Sequence, residues 1–246
     1  MPIDGSFRAE YRALEERMRE LAEADGDPFV PNPEPDGPVP YVLICMEPSL
    51  GRWARSADEA KSKVEAGFRN FLHSIDTAIL HFCVRRYLCG PAHRYHITDL
   101  SKGAMLVDRA GVERVERYDR WYPLLEEEIS LVAAPGAGIV AVGNVVCQHL
   151  ERRSFRRPYT RIIHYSSQAG AARSAGLVGL EDEFQAFSNS VSLGDVVAAM
   201  DEVIREARVP AAVRDESLAQ LSKSSLTRSR QQLIFVYKTA FEAMRS

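Results

Sequence analysis

Three residues able to do acid–base chemistry lie in or just after short apolar runs of the chain. Glu47 follows YVLIC (41–45), Asp99 lies in YHITDL (95–100), and His164 lies in TRIIHY (160–165). A carboxylate and an imidazole carried on separate loops can act as general acid and base, or can stabilise developing charge. Taken singly, each has a plainer reading: a helix cap for Glu47, a turn residue for Asp99, a polar rim residue for His164. Their common setting at strand ends makes them a set, because ligands of open α/β sheets bind beyond the carboxyl ends of the strands.

The elements that must position them follow from periodicity. Apolar runs at 41–45, 95–100, 138–143 and 160–165 read as strands. Helical spacing predicts helices over 6–24, 58–87 (as one helix or two), 118–133, from 145 onward, 193–207 and 227–244. Strands alternating with helices indicate an α/β fold. The expected architecture is a three-layer αβα with a central four-stranded, mostly parallel sheet, plus N- and C-terminal helical additions. Residues 1–39 are expected to form an acidic helix and a linker containing Pro28, Pro31, Pro33, Pro35 and Pro38. Residues 40–210 are expected to form the body, and 211–246 a helical extension packed on it.

Composition sets the outer limits. With 246 residues, 46% hydrophobic and 26% charged, the chain is no disordered tail and can bury one substantial core. No apolar run reaches the ~18–20 residues that cross a bilayer, and the first twenty residues hold no apolar signal core. A cytoplasmic protein without membrane contact is expected, with Cys45, Cys83, Cys89 and Cys147 reduced. The net charge of −3 is an average over unlike parts. Residues 1–39 hold ten acids against four bases. Residues 151–173 hold Arg152, Arg153, Arg156, Arg157, Arg161 and Arg173 against one acid, around His164. Such an arginine cluster suits phosphate contacts, although it equally suits a solvated face paired with acidic helices.

The residues after the strands form a recognisable series. Cys45-Met46-Glu47-Pro48-Ser49 follows the first strand, and Thr98-Asp99 closes the second. Pro135-Gly136-Ala137-Gly138-Ile139-Val140-Ala141-Val142-Gly143 forms the third, and His164-Tyr165-Ser166 ends the fourth. In this order they resemble the motifs of the uracil-DNA glycosylase superfamily over about residues 40–210. Four positions depart from it: Cys45 stands for a glycine, Glu47 for an aspartate one methylene shorter, Asp99 for an asparagine and Tyr165 for a proline.

The resemblance implies an enzyme that flips a nucleotide from DNA and hydrolyses its N-glycosidic bond without a cofactor or metal. Glu47 would stabilise the sugar cation and orient water, and His164 would donate to the departing base. Asp99, Ser49, Met46 and Trp53 would surround the base. Ser166, Ser167, Gln168 and the arginines 152, 153, 156, 157 and 173 would contact DNA. An ionised aspartate only accepts hydrogen bonds, so Asp99 tilts the reading from uracil toward cytosine, whose N4 donates. Ser49 stands where one branch carries a tyrosine that excludes 5-substituents, which extends the reading to 5-modified cytosine, as on modified phage DNA. The alternatives are ordinary uracil repair and a non-catalytic nucleic-acid sensor on the same fold. A monomer is expected. His81, Cys83, Cys89 and His93 fit no tight zinc spacing and are set aside, as is Gly136-x-Gly138, which precedes a strand where a dinucleotide loop would follow one.

Overall fold

The computed structural model describes residues 5–51, 53–90, 93–166 and 169–245; over 106–112 it describes the backbone alone. In chain order the strands are β1 (Val39–Cys45), β2 (Ser49–Leu50), β3 (His96–Asp99), β4 (Met105–Leu106), β5 (Ala133–Val142) and β6 (Tyr159–Ile162). The helices are α1 (Gly5–Ala24), α2 (Ala57–Glu65), α3 (Ile75–Cys83), α4 (Val107–Val132), α5 (Asn144–Arg152), α6 (Gly170–Ala175), α7 (Glu181–Phe187), α8 (Leu193–Glu206), α9 (Ala211–Ser222) and α10 (Arg228–Ala243). A π-helical turn, Val84–Cys89, continues α3.

β1, β3, β5 and β6 make a parallel sheet in the order β3-β1-β5-β6, while β2 and β4 pair separately. The sheet is α/β, as the alternation of strands and helices requires. In register, Val42, Leu43, Ile44 and Cys45 face His96, Ile97, Thr98 and Asp99 on one side. Val42, Leu43 and Ile44 face Ile139, Val140 and Ala141 on the other. Paired residues of a parallel sheet share a face. Val42, Ile44, Ile139 and Ala141 therefore pack together with Phe7 and Tyr11 of α1, Tyr118, Leu125 and Ile129 of α4, and Val146 and Leu150 of α5. Leu43, Cys45, Ile97, Val140 and Val142 turn to the opposite face and are equally buried. Each such Val, Ile or Leu contributes roughly 1.5–3 kcal/mol by leaving water. Burial on both faces explains why these strands read as continuous apolar runs.

The chain divides into two compact units. One comprises residues up to Asn70 together with Tyr95–Thr160, and the other Phe71–Arg94 together with the chain from Arg161. This division is interleaved, unlike the three consecutive segments expected from sequence. In the first unit, α1 presents Phe7, Tyr11, Leu14, Met18 and Ala22 inward, as its spacing predicts. In the second, α3, the π turn, α8 and α10 pack together. Arg85, on the π turn, pairs with Glu202 at 2.9 Å and Glu206 at 2.8 Å on α8.

Several elements differ from the sequence expectation. The proline-rich segment is no free linker: Phe29 bridges antiparallel to Gly103, Val30 N–H donates to Lys102 C=O, and Ala104 N–H donates to Pro28 C=O, both at 2.9 Å. Prolines forbid a helix here but leave the intervening amides free to pair. β5 begins at Ala133 and runs through Pro135 and Gly136, residues that resemble a loop. Its register against β1 shifts between Val39 and Tyr41. A Cβ on Gly138 would come within 3.0 Å of the Tyr41 ring, so that strand needs the glycine for close approach. α4 starts eleven residues earlier than its apolar stripe indicates. α6 and α7 are too short, and α9 too unevenly patterned, for periodicity to mark them.

Candidate functional site

β1 and β3 end side by side, with Cys45 opposite Asp99. The chain passes to β3 on one side of β1 and to β5 on the other. That reversal is where open α/β sheets take ligands, beyond the carboxyl ends. Asp99 is 3% exposed, and its Oδ2 accepts a 2.9 Å hydrogen bond from Asn70 Nδ2. Burial pushes its carboxyl up to about 8, against the pull of Lys102 and the Asn70 hydrogen bond; Glu128 and Glu47 add to the rise. At neutral pH it is therefore mostly protonated, and offers one donor and one acceptor.

A second polar cluster lies under the same strand. His96 and Thr98 share the face that packs on α4 and meet Glu128 there. His96 Nε2 lies 2.9 Å from Glu128 Oε1, and Thr98 Oγ1 donates to Oε2 at 2.6 Å. Lys102 Nζ donates to Oε1 at 2.5 Å, and Tyr11 O–H donates to the same oxygen at 3.4 Å. Burial would raise Glu128, yet Lys102 and the His96 and Lys102 hydrogen bonds hold it down at about 2. His96 is pushed below its ordinary value by burial, although the Glu128 contacts oppose this. The cluster anchors β3 and the Leu100–Lys102 turn immediately behind Asp99.

Glu47 follows β1. Its side chain is 3% exposed, and Arg114 donates to Oε1 at 2.6 Å while Tyr118 O–H donates to Oε2. Burial, then the charge of Glu47, raises the Tyr118 phenol well above its ordinary value, so it stays a donor. A carboxylate has about four lone-pair positions, so two remain for a water or a cationic sugar. Nearby, Trp53 stacks on Phe68 with centroids 4.2 Å apart, and its Nε1–H donates to Ser49 C=O at 2.8 Å. Trp53 thus braces the Ser49 turn. Ser49 itself is exposed, and Met46 is half-buried against the core.

His164 belongs to the second unit. Ser166 N–H donates to His164 Nδ1 at 3.0 Å, so the neutral ring carries its proton on Nε2 and can donate from there. The ring stacks on Tyr165 at 4.3 Å. Tyr237 O–H holds Ile163 C=O at 2.8 Å, and Arg173 holds the carbonyls of Tyr165 and Ser166. These donors fix the backbone of the His164–Ser166 turn.

Arg173 corrects the expectation. It is 4% exposed and also donates to Ser229 Oγ at 2.7 Å, so it is a brace for the His164 loop and is spent before any phosphate could reach it. Arg152 pairs with Asp119 at 2.8 Å and donates to His149 Nδ1. Arg153 lies over the Tyr122 ring. Arg156 is exposed and Arg157 half-exposed, and neither has an ion-pair partner among the described residues. Ser167 and Gln168 lie outside the described residues. Among the described residues no group of three or more His, Cys, Asp or Glu is arranged to hold a metal.

Sequence reading missed Asn70, Lys102, Arg114, Tyr118 and Glu128. One signal was present: Glu128 interrupts the apolar stripe Tyr118, Tyr122, Leu125, Ile129, Val132, and a charge on a buried face needs partners. The others act through tertiary contacts that no spacing encodes. No family model, curated protein or solved structure matches the chain.

Proposed function

We propose that the chain is a monofunctional DNA glycosylase acting on a flipped cytosine-type base, 5-modified cytosine foremost, and leaving an abasic site, as a defence against modified phage DNA would require. The observation that carries the reading is Asp99: a carboxyl at a strand end, 3% exposed and braced by Asn70, where burial favours the protonated form. A neutral acid can donate to cytosine N3 while accepting from N4, which meets the N3 acceptor that an ionised aspartate would leave unmet; it can also donate to uracil O4 while accepting from N3–H, and the base panel below decides between the two. Glu47, ion-paired with Arg114 at 2.6 Å, faces the other demand, stabilising the sugar cation and orienting water. His164, with its proton on Nε2, suits donation to a departing base. Exposed Ser49 leaves space for a 5-substituent.

The test is a panel of duplexes bearing uracil, cytosine, 5-methylcytosine, 5-hydroxymethylcytosine or glucosylated hydroxymethylcytosine, scored for abasic sites. Release confined to cytosine-type bases supports the reading, and release of uracil alone refutes it. A second reading, a nucleic-acid sensor, is favoured by one observation: both oxygens of Glu47 already hold a donor. Under it, Glu47→Gln and His164→Ala would keep the full biological effect that arginine substitutions abolish.

A further inference from the structure

Asn32 is 1% exposed, and neither its Oδ1 nor its Nδ2 has a hydrogen-bond partner among the described residues. A buried primary amide unmet at both ends is destabilising, because water satisfies both groups in the unfolded chain. Such a group calls for a partner from outside the chain. The segment around it is held firmly. Pro31 and Pro33 flank Asn32, and a residue before proline is confined to extended backbone. Val30 is bonded to Lys102, and Pro31 C=O accepts from Asn70 N–H at 2.9 Å. Asn70 is the residue whose side chain grips Asp99. The unmet amide is thus tied through one residue to the brace of the base-reading carboxyl, and its backbone has little freedom to seek another partner.

We propose that Asn32 is a second base-reading residue, its Nδ2 donating to O2 of the cytosine-type base whose N3 and N4 Asp99 reads. This rests on the reading above. An asparagine is suited to the task because it supplies a donor without charge.

The test uses the full chain labelled with nitrogen-15. The Asn32 side-chain amide signals are followed as free cytosine, 5-hydroxymethylcytosine and uracil are added. Asn32→Ala, with Asn32→Ser as a milder second variant, is assayed for Tm and for kcat/KM on the duplex panel. The expected result is that the signals move with a cytosine-type base. Either variant should keep or raise Tm while losing about tenfold in kcat/KM, the scale of one hydrogen bond. Signals unmoved by every base, or moved by uracil alone, overturn the proposal. So does a variant with lowered Tm and unchanged kcat/KM, which would mean that a buried water satisfies the amide. If no duplex yields abasic sites yet the Asn32 signals move with cytosine, the glycosylase reading fails and Asn32 as a base reader stands. Cleavage with silent Asn32 signals gives the reverse.

Discussion

Asp99→Asn should make the protein more stable, by an amount that grows with pH. The folded carboxyl titrates at about 8 and the unfolded one at its ordinary 3.8. Below the lower value both states hold the proton and nothing differs. Between the two values the folded state holds a proton that the unfolded state has released, so stability falls as pH rises. The slope is about 1.36 kcal/mol per pH unit for one proton, and the loss is complete above the folded value. An asparagine fills the same space, accepts the same hydrogen bond from Asn70 and does not titrate. From about pH 5 to about pH 7, the stability advantage of Asp99→Asn should therefore widen by about 2.7 kcal/mol. This interval lies inside the window, so it depends on the direction of the shift more than on its extent. Urea unfolding of both proteins at each pH measures it. Parallel stability curves for the two would refute the reasoning, because they would mean that Asp99 is ionised in the folded protein.

Lys102→Met strands the buried Glu128 charge and should cost about 3–5 kcal/mol in urea unfolding. Adding Glu128→Gln should return part of that loss, and Asp99 should titrate higher in Lys102→Met because a cation that lowers it is gone. Arg173→Ala removes hydrogen bonds to two backbone carbonyls and to Ser229, and should lower stability by roughly 2–4 kcal/mol. Arg156→Ala and Arg157→Ala should change stability by no more than about 0.5 kcal/mol, while each reduces the salt slope of DNA binding by about one in a filter or anisotropy assay.

The sheet was legible because its strands are buried on both faces. Val42–Cys45 and Ile139–Val142 are the near-continuous apolar runs that a covered parallel sheet uses, and the apolar stripes of α1 and α10 follow from burial of one helix face. What stayed hidden is informative in the same terms. Residues 28–32 read as a linker because proline marks irregular backbone, yet Val30 N–H donates to Lys102 C=O and Pro31 C=O accepts from Asn70 N–H, contacts far away in sequence. Glu47 and Asp99 were legible as strand-end carboxylates, but their opposite conditions were not. One is matched by Arg114 and Tyr118 on α4; the other has no bonded cation among the described residues, and burial favours its proton. Arg173 belonged to a basic run by sequence, but its neighbours in space are carbonyl oxygens and a serine hydroxyl, so it became structural. Charge counts locate arginines; burial decides what they bind.

The central claim is that a neutral Asp99 reads a cytosine-type base for release. It is tested most directly by the rate of base release from a duplex bearing 5-hydroxymethylcytosine, followed from about pH 6 to about pH 9 for the protein and for Asp99→Asn. The account expects release that holds steady and then falls with the loss of one proton near the pH where Asp99 titrates, about 8, with that alkaline limb missing in Asp99→Asn. No release from this or any other cytosine-type duplex at any pH, or an identical alkaline limb in Asp99→Asn, would contradict it.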